Sequence, residues 1–407
     1  MDRTILRPPT TRPGLARRLL TATLVALLLP LAPAPASARG TRPAPPTADI
    51  AADVDRAHGA DDRCGWGYSP STTIFFGRGR ADSGVANHDI GNGCTIMDII
   101  WREAPFADHG AFVRLVDRLT THLIRSRVIT ARERTSIVGA ARWSDVGKDQ
   151  AVTGRRAVPD ARIGLVLYTV RATMPSAPEA TLAALAGCGY RNAEPSGAVN
   201  NFYGRSAAAL APLIADANVS VPSIGISLGD LETNLDGVIA DANAFGARYV
   251  RISGSSAWQL EDYRRLAATL NTVGASLKRA GITVAYHNHG FEFTATDGVR
   301  GYDVLVRETD PRLVAMELDL YWASSVGVDP VALIKQYPGR FSLFHVKDMA
   351  ADGSFADVGE GTIDFTRIFA YSGVAGVDHY LTENDNPSPD GVSSACDSYA
   401  NLRALRY

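Results

Sequence analysis

The sequence has almost no excess of charge: 41 lysines and arginines stand against 43 aspartates and glutamates, a formal balance of −2 over 407 residues. That removes the electrostatic ground for expecting nucleic acid or an acidic lipid surface as the main partner. A long membrane-spanning run is missing too, since the apolar stretch Leu19 to Leu31 is too short for a comfortable span. No glycine-rich phosphate fingerprint follows the first strand-like run of the alternating segment described below, which argues against an open dinucleotide-binding sheet. Cysteine is scarce, with four residues in all, while hydrophobic residues make up 46%. The chain therefore has ample material for a core, and its length suits a barrel plus an accessory piece.

The N-terminus reads as a targeting segment. Arg12, Arg17 and Arg18 precede the apolar run, and Ala36-Ser37-Ala38 forms a small-x-small cleavage signal. The expectation is a signal peptide over residues 1–38 and a secreted or extracytoplasmic protein, with no membrane association after cleavage. A Pro- and Ala-rich linker follows at residues 39–47. Residues 51–147 read as a small, mainly helical, Cys-containing module whose first part, up to Gly93, looks irregular. Thr130 with Glu133 three residues on predicts a capped helix. In an exported chain the cysteines can pair; Cys64 with Cys94, and Cys188 with Cys396, are the expected pairs. Residues 148–160 form a second polar linker.

From Arg162 the pattern changes to alternating strands and helices, which implies parallel strands with covering helices. Strands are predicted at Ile163–Tyr168, Tyr190–Glu194, Val219–Ile226 and Tyr249–Ile252. Four more follow, the first beginning at Gly281. Each of these four ends in groups that bind metals or move protons: His287-Asn288-His289, Glu317-Leu318-Asp319, His345-Val346-Lys347-Asp348 and Thr382-Glu383. Because side chains alternate along a strand, His287 and His289 point the same way. Acid, imidazole and acid at successive strand ends is the pattern of a divalent metal at the mouth of a parallel barrel. The fold class is α/β, a (β/α)8 TIM barrel over residues 162–407.

Several stretches, in order, carry a family resemblance: Leu167-Tyr168-Thr169-Val170-Arg171, Gly189-Tyr190-Arg191-Asn192-Ala193-Glu194, Tyr286-His287-Asn288-His289-Gly290-Phe291-Glu292-Phe293, Leu318-Asp319-Leu320-Tyr321-Trp322, His345-Val346-Lys347-Asp348, Val358-Gly359-Glu360-Gly361 and Thr382-Glu383-Asn384-Asp385. Together they resemble the xylose-isomerase-like sugar phosphate isomerase/epimerase superfamily. The resemblance implies a divalent metal, manganese or magnesium, held by Asp319, His345 and Glu383. For the ligand from the fifth strand, either His287 takes the position or Glu292 folds back from the loop, and Glu292 is preferred. His287, His289 or Glu383 could act as base, and Lys347 could steady negative charge. Tyr168, Arg171, Glu194 and Glu360 are candidate substrate-binding residues. Many members carry a substrate-binding histidine on the third strand, where this chain reads Ser223-Ile224-Gly225-Ile226-Ser227.

The implied activity is isomerisation or epimerisation of a free sugar or derivative by proton abstraction next to a carbonyl. A lyase or hydrolase that cleaves 3-keto-glycosides by beta-elimination is the alternative, and a non-catalytic carbohydrate-binding barrel is the third reading. An endonuclease of the same superfamily fits poorly, since that branch needs more metal-binding histidines and a basic groove. The partner is a small sugar or keto-glycoside; the oligomeric state stays open.

Overall fold

The alternation of apolar strands with amphipathic helices produces a ring of parallel strands in a computed structural model. The structure describes residues 73–407, apart from 77–80, 92–93, 104–105, 145, 149–152 and 255–258. The expected signal segment, the first linker and Cys64 of the expected Cys64–Cys94 pair lie outside the described residues.

The barrel strands are β1 (Ile163–Val166), β2 (Asn192–Glu194), β3 (Ser223–Gly225), β4 (Tyr249–Ser253), β5 (Thr283–His287), β6 (Val314–Asp319), β7 (Phe341–Val346) and β8 (His379–Thr382). They form one parallel sheet in the order β2-β1-β8-β7-β6-β5-β4-β3. The seam between β2 and β3 is joined by the bridges Asn192–Ser220 and Ser196–Gly225. Ala193 N–H donates to Ser220 O and Gly225 N–H to Pro195 O, both at 2.9 Å. The ring is thus nearly closed. Eight helices cover it: α1 (Pro178–Cys188), α2 (Ala207–Asp216), α3 (Leu235–Phe245), α4 (Leu260–Arg279), α5 (Gly301–Glu308), α6 (Pro330–Gln336), α7 (Phe365–Phe369) and α8 (Gly391–Ala404).

Departures from the expected boundaries have local causes. The third strand is only three residues long because Pro222, just ahead of it, has no N–H for a ladder. The amphipathic pattern from Leu231 to Phe245 suggests one helix, but the chain breaks at Asn234, whose Oδ1 accepts from Gly237 N–H at 3.3 Å and starts α3. In the N-terminal part the helices His109–Arg125 and Ala131–Trp143 form, the second with the Thr130–Glu133 capping box. The stretch expected to be irregular instead carries an antiparallel hairpin of Thr73–Phe76 with Ala81–Ala86. The module therefore mixes strand with helix, because Ile74 and Phe76 are buried among Trp101 and Phe112. Phe75 reaches Gly339, just ahead of β7 at the N-terminal end of the barrel, and the apolar residues of module and barrel form one cluster.

Inside the ring, side chains stack in layers. Tyr249, Ala285, Ala315 and Leu343 from β4 to β7 form a small apolar floor. The two alanines leave room for the tyrosine ring, whose hydroxyl donates to Asp378. One pleat repeat higher, the same strands present Arg251, His287, Glu317 and His345. Register places Glu317 beside His287 and Asp319 beside His345. The chemistry thus sits at the C-terminal ends of the strands.

Two predictions follow from this scaffold. Cys188 of α1 is bonded to Cys396 of α8, with Cα atoms 5.3 Å apart and a sequence separation of 208. By chain entropy a loop of this length is worth up to about 5 kcal/mol, so the Cys188→Ser, Cys396→Ser variant should melt well below the wild type, and reductant should lower the wild-type Tm toward it. An unchanged Tm would remove the disulfide from the stability of the ring. His379 is buried at the base of β8, and burial pushes its pKa down to about 4. A histidine whose folded pKa is depressed supports the fold above its unfolded value near 6.5 and loses that support as pH falls toward 4. Denaturant melts should show wild type losing up to about 3 kcal/mol more than His379→Gln between pH 7 and pH 4; parallel losses would refute the assignment.

Candidate metal centre

Residues at or just past the C-terminal ends of β5 to β8 converge on one point. His287 Nε2 lies 3.2 Å from Asp319 Oδ2, and His345 Nδ1 lies 3.7 Å from that oxygen and 3.1 Å from Glu383 Oε2. One ligand atom from each of His287, Asp319 and His345 falls within 4.8 Å of the others. All four side chains are buried. Asn288, between the two histidines of the motif, points sideways: its Oδ1 accepts from Asp319 N–H at 3.1 Å, so it stitches the end of β5 to the end of β6. Asp319 Oδ1 accepts from Trp322 N–H at 2.9 Å, which leaves Oδ2 facing the centre.

A second group lies below. Arg251 of β4 donates from Nε and Nη2 to Glu194 Oε1 at 2.9 and 2.7 Å, and from Nη2 to Ser196 Oγ at 2.8 Å. Its Nε is 3.9 Å from Glu317 Oε2. His345 Nε2 faces this lower group, 2.8 Å from Glu317 Oε1 and 3.6 Å from Glu194 Oε1. Glycine at 225 is what makes room: a Cβ there would stand 2.5 Å from Arg251 Nη2. The side-chain space on the third strand is therefore filled by a guanidinium from its neighbour.

Five carboxylates (Glu194, Glu317, Asp319, Glu383 and Asp385) face two fixed cations, Arg251 and Lys347. The imbalance shows in the titration of the groups. Burial and then Glu194 raise Glu317 to about 7. Burial and then the neighbouring His345 push His287 well down. Burial works against a charged His345, yet Glu317 and Glu383 raise it well above the usual histidine value. Glu194 Oε2, both Glu317 oxygens, both His345 nitrogens and His287 Nδ1 are buried without a well-formed hydrogen bond. Buried polar atoms without partners are costly, and a cation beside His345 Nδ1 would relieve that atom. The residues present fit a divalent metal. The upper group, with two imidazoles and two carboxylates, has the donors for one, whereas the lower group already holds the Arg251 guanidinium.

Above the cluster, a cavity of about 380 Å³ is lined by Tyr168, His289, Lys347 and Asp385 among others. Lys347 Nζ lies 2.9 Å from Glu383 Oε2 and from Asp385 Oδ2, and 3.3 Å from Asp319 Oδ2. Burial acts against its charge, but Asp319 and then Glu383 hold its pKa above the ordinary lysine value. His289 is half-buried, its ring stacked on Phe291 and near Trp322. Burial lowers its pKa.

Four sequence-based expectations change. Glu292 is not drawn to the cluster. The short helical turn Phe291–Phe293 swings it back, so that Oε1 accepts from Tyr286 O–H and Oε2 from His289 N–H, both at 2.9 Å. His287, the other candidate, lies in the cluster beside Asp319 and His345. Glu194 does not line the cavity and is committed to Arg251. Arg171 stacks on the Tyr168 ring at 4.1 Å and donates to Asp385 O at 2.8 Å, so it braces the rim rather than lining it. Glu360 is exposed and does not line the cavity. Its glycine-rich stretch is organised by Asp348, whose carboxylate accepts from the N–H groups of Met349, Gly359, Gly361 and Ile363 at 2.8 to 3.2 Å. Sequence reasoning passed over Arg251 and gave no separate role to Glu317 and Asp385, although both stand in its motifs. A charged residue at an inward strand position beside a glycine on the next strand was the available signal for Arg251.

Residues 182–382 match the xylose isomerase-like TIM barrel family model. Inosose dehydratase of Clostridium beijerinckii is 31% identical over 128 residues, covering 27% of this chain and 42% of that protein. Inosose dehydratase of Clostridium tetani is 30% identical over the same length and with the same coverage. The chain thus spans less than half the length of the curated relatives it matches. A crystal structure of a sugar phosphate isomerase/epimerase from Parabacteroides distasonis is 22% identical, covers 62% of this chain and 98% of its own, and superposes with a TM-score of 0.54, a likeness of fold. With a nearly closed ring of eight parallel strands and this match over most of it, the barrel of this chain belongs to the xylose isomerase-like TIM barrels.

Proposed function

We propose that the barrel is a divalent-metal-dependent enzyme that removes a proton next to the carbonyl of a small keto-sugar or keto-glycoside, leading to isomerisation or epimerisation. The observation that carries this reading is the convergence of His287, Asp319, His345 and Glu383 beneath a cavity that also presents His289 and Lys347. These four residues would hold the ion. Two imidazoles with two carboxylates favour manganese, cobalt or zinc over magnesium, which prefers oxygen ligands and retained water. When bound, such an ion polarises a carbonyl and stabilises negative charge on adjacent oxygens.

The chain's own residues do the rest. His287 is engaged with Asp319, so His289 is the histidine left to take the proton. Lys347 offers a fixed positive charge beside the substrate oxygens, held in place by Asp319, Glu383 and Asp385. Tyr168, 43% exposed at the rim and braced by Arg171, supplies a flat surface for a sugar ring. A second reading shares the first step. The relatives named inosose dehydratase favour elimination, in which the same proton loss is followed by departure of a substituent at the beta carbon. Product analysis separates the two: an isomer or epimer in one case, an unsaturated product and a released group in the other. We also propose that the protein works outside the cytoplasm; the Cys188–Cys396 disulfide supports this.

The ligand assignment predicts that His287→Ala lowers divalent-metal content at least tenfold, while Glu292→Gln keeps most of it. Mass-spectrometric metal analysis of the purified variants decides; the reverse order would restore Glu292 as ligand. For the chemistry, turnover of a keto-sugar or 3-keto-glycoside in deuterated water should place deuterium on the carbon next to the carbonyl. His289→Ala should slow that exchange by about 10²–10⁴-fold, the usual worth of a positioned base. Turnover with no deuterium uptake would mean a hydride shift or direct hydrolysis and would end this proposal.

A further inference from the structure

We propose that Arg251, Ser196 and Ser253 form a donor subsite that binds a hydroxyl oxygen at the end of the substrate remote from its carbonyl, and that it selects an uncharged sugar over a phosphorylated one. The inference rests on the metal-dependent reading above, which sets the carbonyl end over the cluster. The residues assigned to the ion all come from β5 to β8 or just past them. The half of the mouth formed by β2 to β4 is therefore left for another part of the substrate. Ser196 stands two residues past β2, Arg251 is on β4, and Ser253 ends β4; all three line the cavity. Ring order puts β4 opposite β8, so these three residues face Lys347 and Asp385 across the opening. The bridge between Ser196 and Gly225, and the pairing of Gly225 with Arg251, bring the serine and the arginine together over the glycine.

The arginine is held on one side and open on the other. Nε and Nη2 both donate to Glu194 Oε1, and Nη2 also donates to Ser196 Oγ at 2.8 Å. Nη1 has no hydrogen-bond partner among the described residues and is not buried; 12% of the side chain is exposed. Ser196 Oγ accepts from Arg251 and keeps its own proton to donate. Ser253 Oγ has no partner among the described residues. Three donor groups thus border the same side of the cavity. Their character is that of N–H and O–H groups rather than of net positive charge, since a buried carboxylate already faces the guanidinium. A phosphate here would meet the carboxylates gathered at the mouth with no unpaired cation to hold it, and like charges at such range repel. A hydroxyl oxygen accepts from these donors without that repulsion.

The test titrates the full, Co2+-loaded protein calorimetrically with D-fructose, 6-deoxy-D-fructose and D-fructose 6-phosphate, which share a carbonyl end and differ at carbon 6. Wild type is compared with Arg251→Lys, which keeps a cation for Glu194 but loses Nη1, and with Ser253→Ala, which removes one hydroxyl and leaves the ion pair alone. Each preference is a ratio between two probes, so differences among the free sugars cancel between wild type and variant. Wild type should favour D-fructose over its 6-deoxy analogue by about tenfold, the worth of a hydrogen bond to a charged donor. That preference should fall to about threefold or less in Arg251→Lys, and part of the way in Ser253→Ala. Wild type should also bind D-fructose more tightly than the 6-phosphate. No wild-type preference for D-fructose over the deoxy analogue, including through no binding of D-fructose, would overturn the proposal. A preference that survives intact in both variants would do the same. Tighter binding of the 6-phosphate that is lost in Arg251→Lys would make this an anion site and end the proposal as stated. Wild-type protein that takes up no Co2+ would instead bring down the metal reading, and this inference with it.

Discussion

An imbalance of buried charge governs the mouth of this barrel. Carboxylates from β2 and β6, and from the stretch just after β8, are gathered around Arg251 and Lys347. Packed closely inside a protein such groups repel strongly, and they stay together because each sits on, or just past the end of, a strand pinned to its neighbours. The parallel ladder fixes Glu317 beside His287 and Asp319 beside His345 whether or not their charges are compensated. Beneath them the floor of Tyr249, Ala285, Ala315 and Leu343 is apolar. The scaffold thus supplies the rigidity and the site supplies the strain, a division that prepares the cluster for a cation without depending on one to form.

How much of this could be read from sequence depended on how local the signal was. His287, His289, Asp319, His345, Lys347 and Glu383 were visible because strand alternation alone puts them on one face. The choice between His287 and Glu292 was not. It turns on the helical turn Phe291–Phe293, which returns the glutamate to Tyr286, a geometry with no periodic signature. Arg251 and Gly225 were hidden for a different reason: each is ordinary alone, and the pair has meaning only through the register that sets them side by side. The ring of eight units was legible from alternation. The Thr73–Phe76 hairpin was not, because short strands among glycine, serine and asparagine look like loop.

The loops around the mouth are held as firmly as the strands. Asp348 gathers four backbone N–H groups from the stretch after β7. Arg171 ties Tyr168 to the backbone of Asp385 across the seam from β1 to β8. Lys347, one residue past β7, reaches the same loop through the Asp385 side chain. Three consecutive parts of the rim are thus linked by charged contacts, and Lys347, which also touches Asp319 and Glu383, ties that rim to the cluster beneath it.

The bond between Cys188 and Cys396 has a topological meaning beyond its strength. It joins the first covering helix to the last, so the polypeptide from α1 to α8 is a covalent circle laid over a circle of strands. A single cut in any of the intervening loops opens that circle without releasing a fragment. The two ends made by the cut each stay tethered to the rest of the ring, one through the backbone to Cys188 and the other through Cys396.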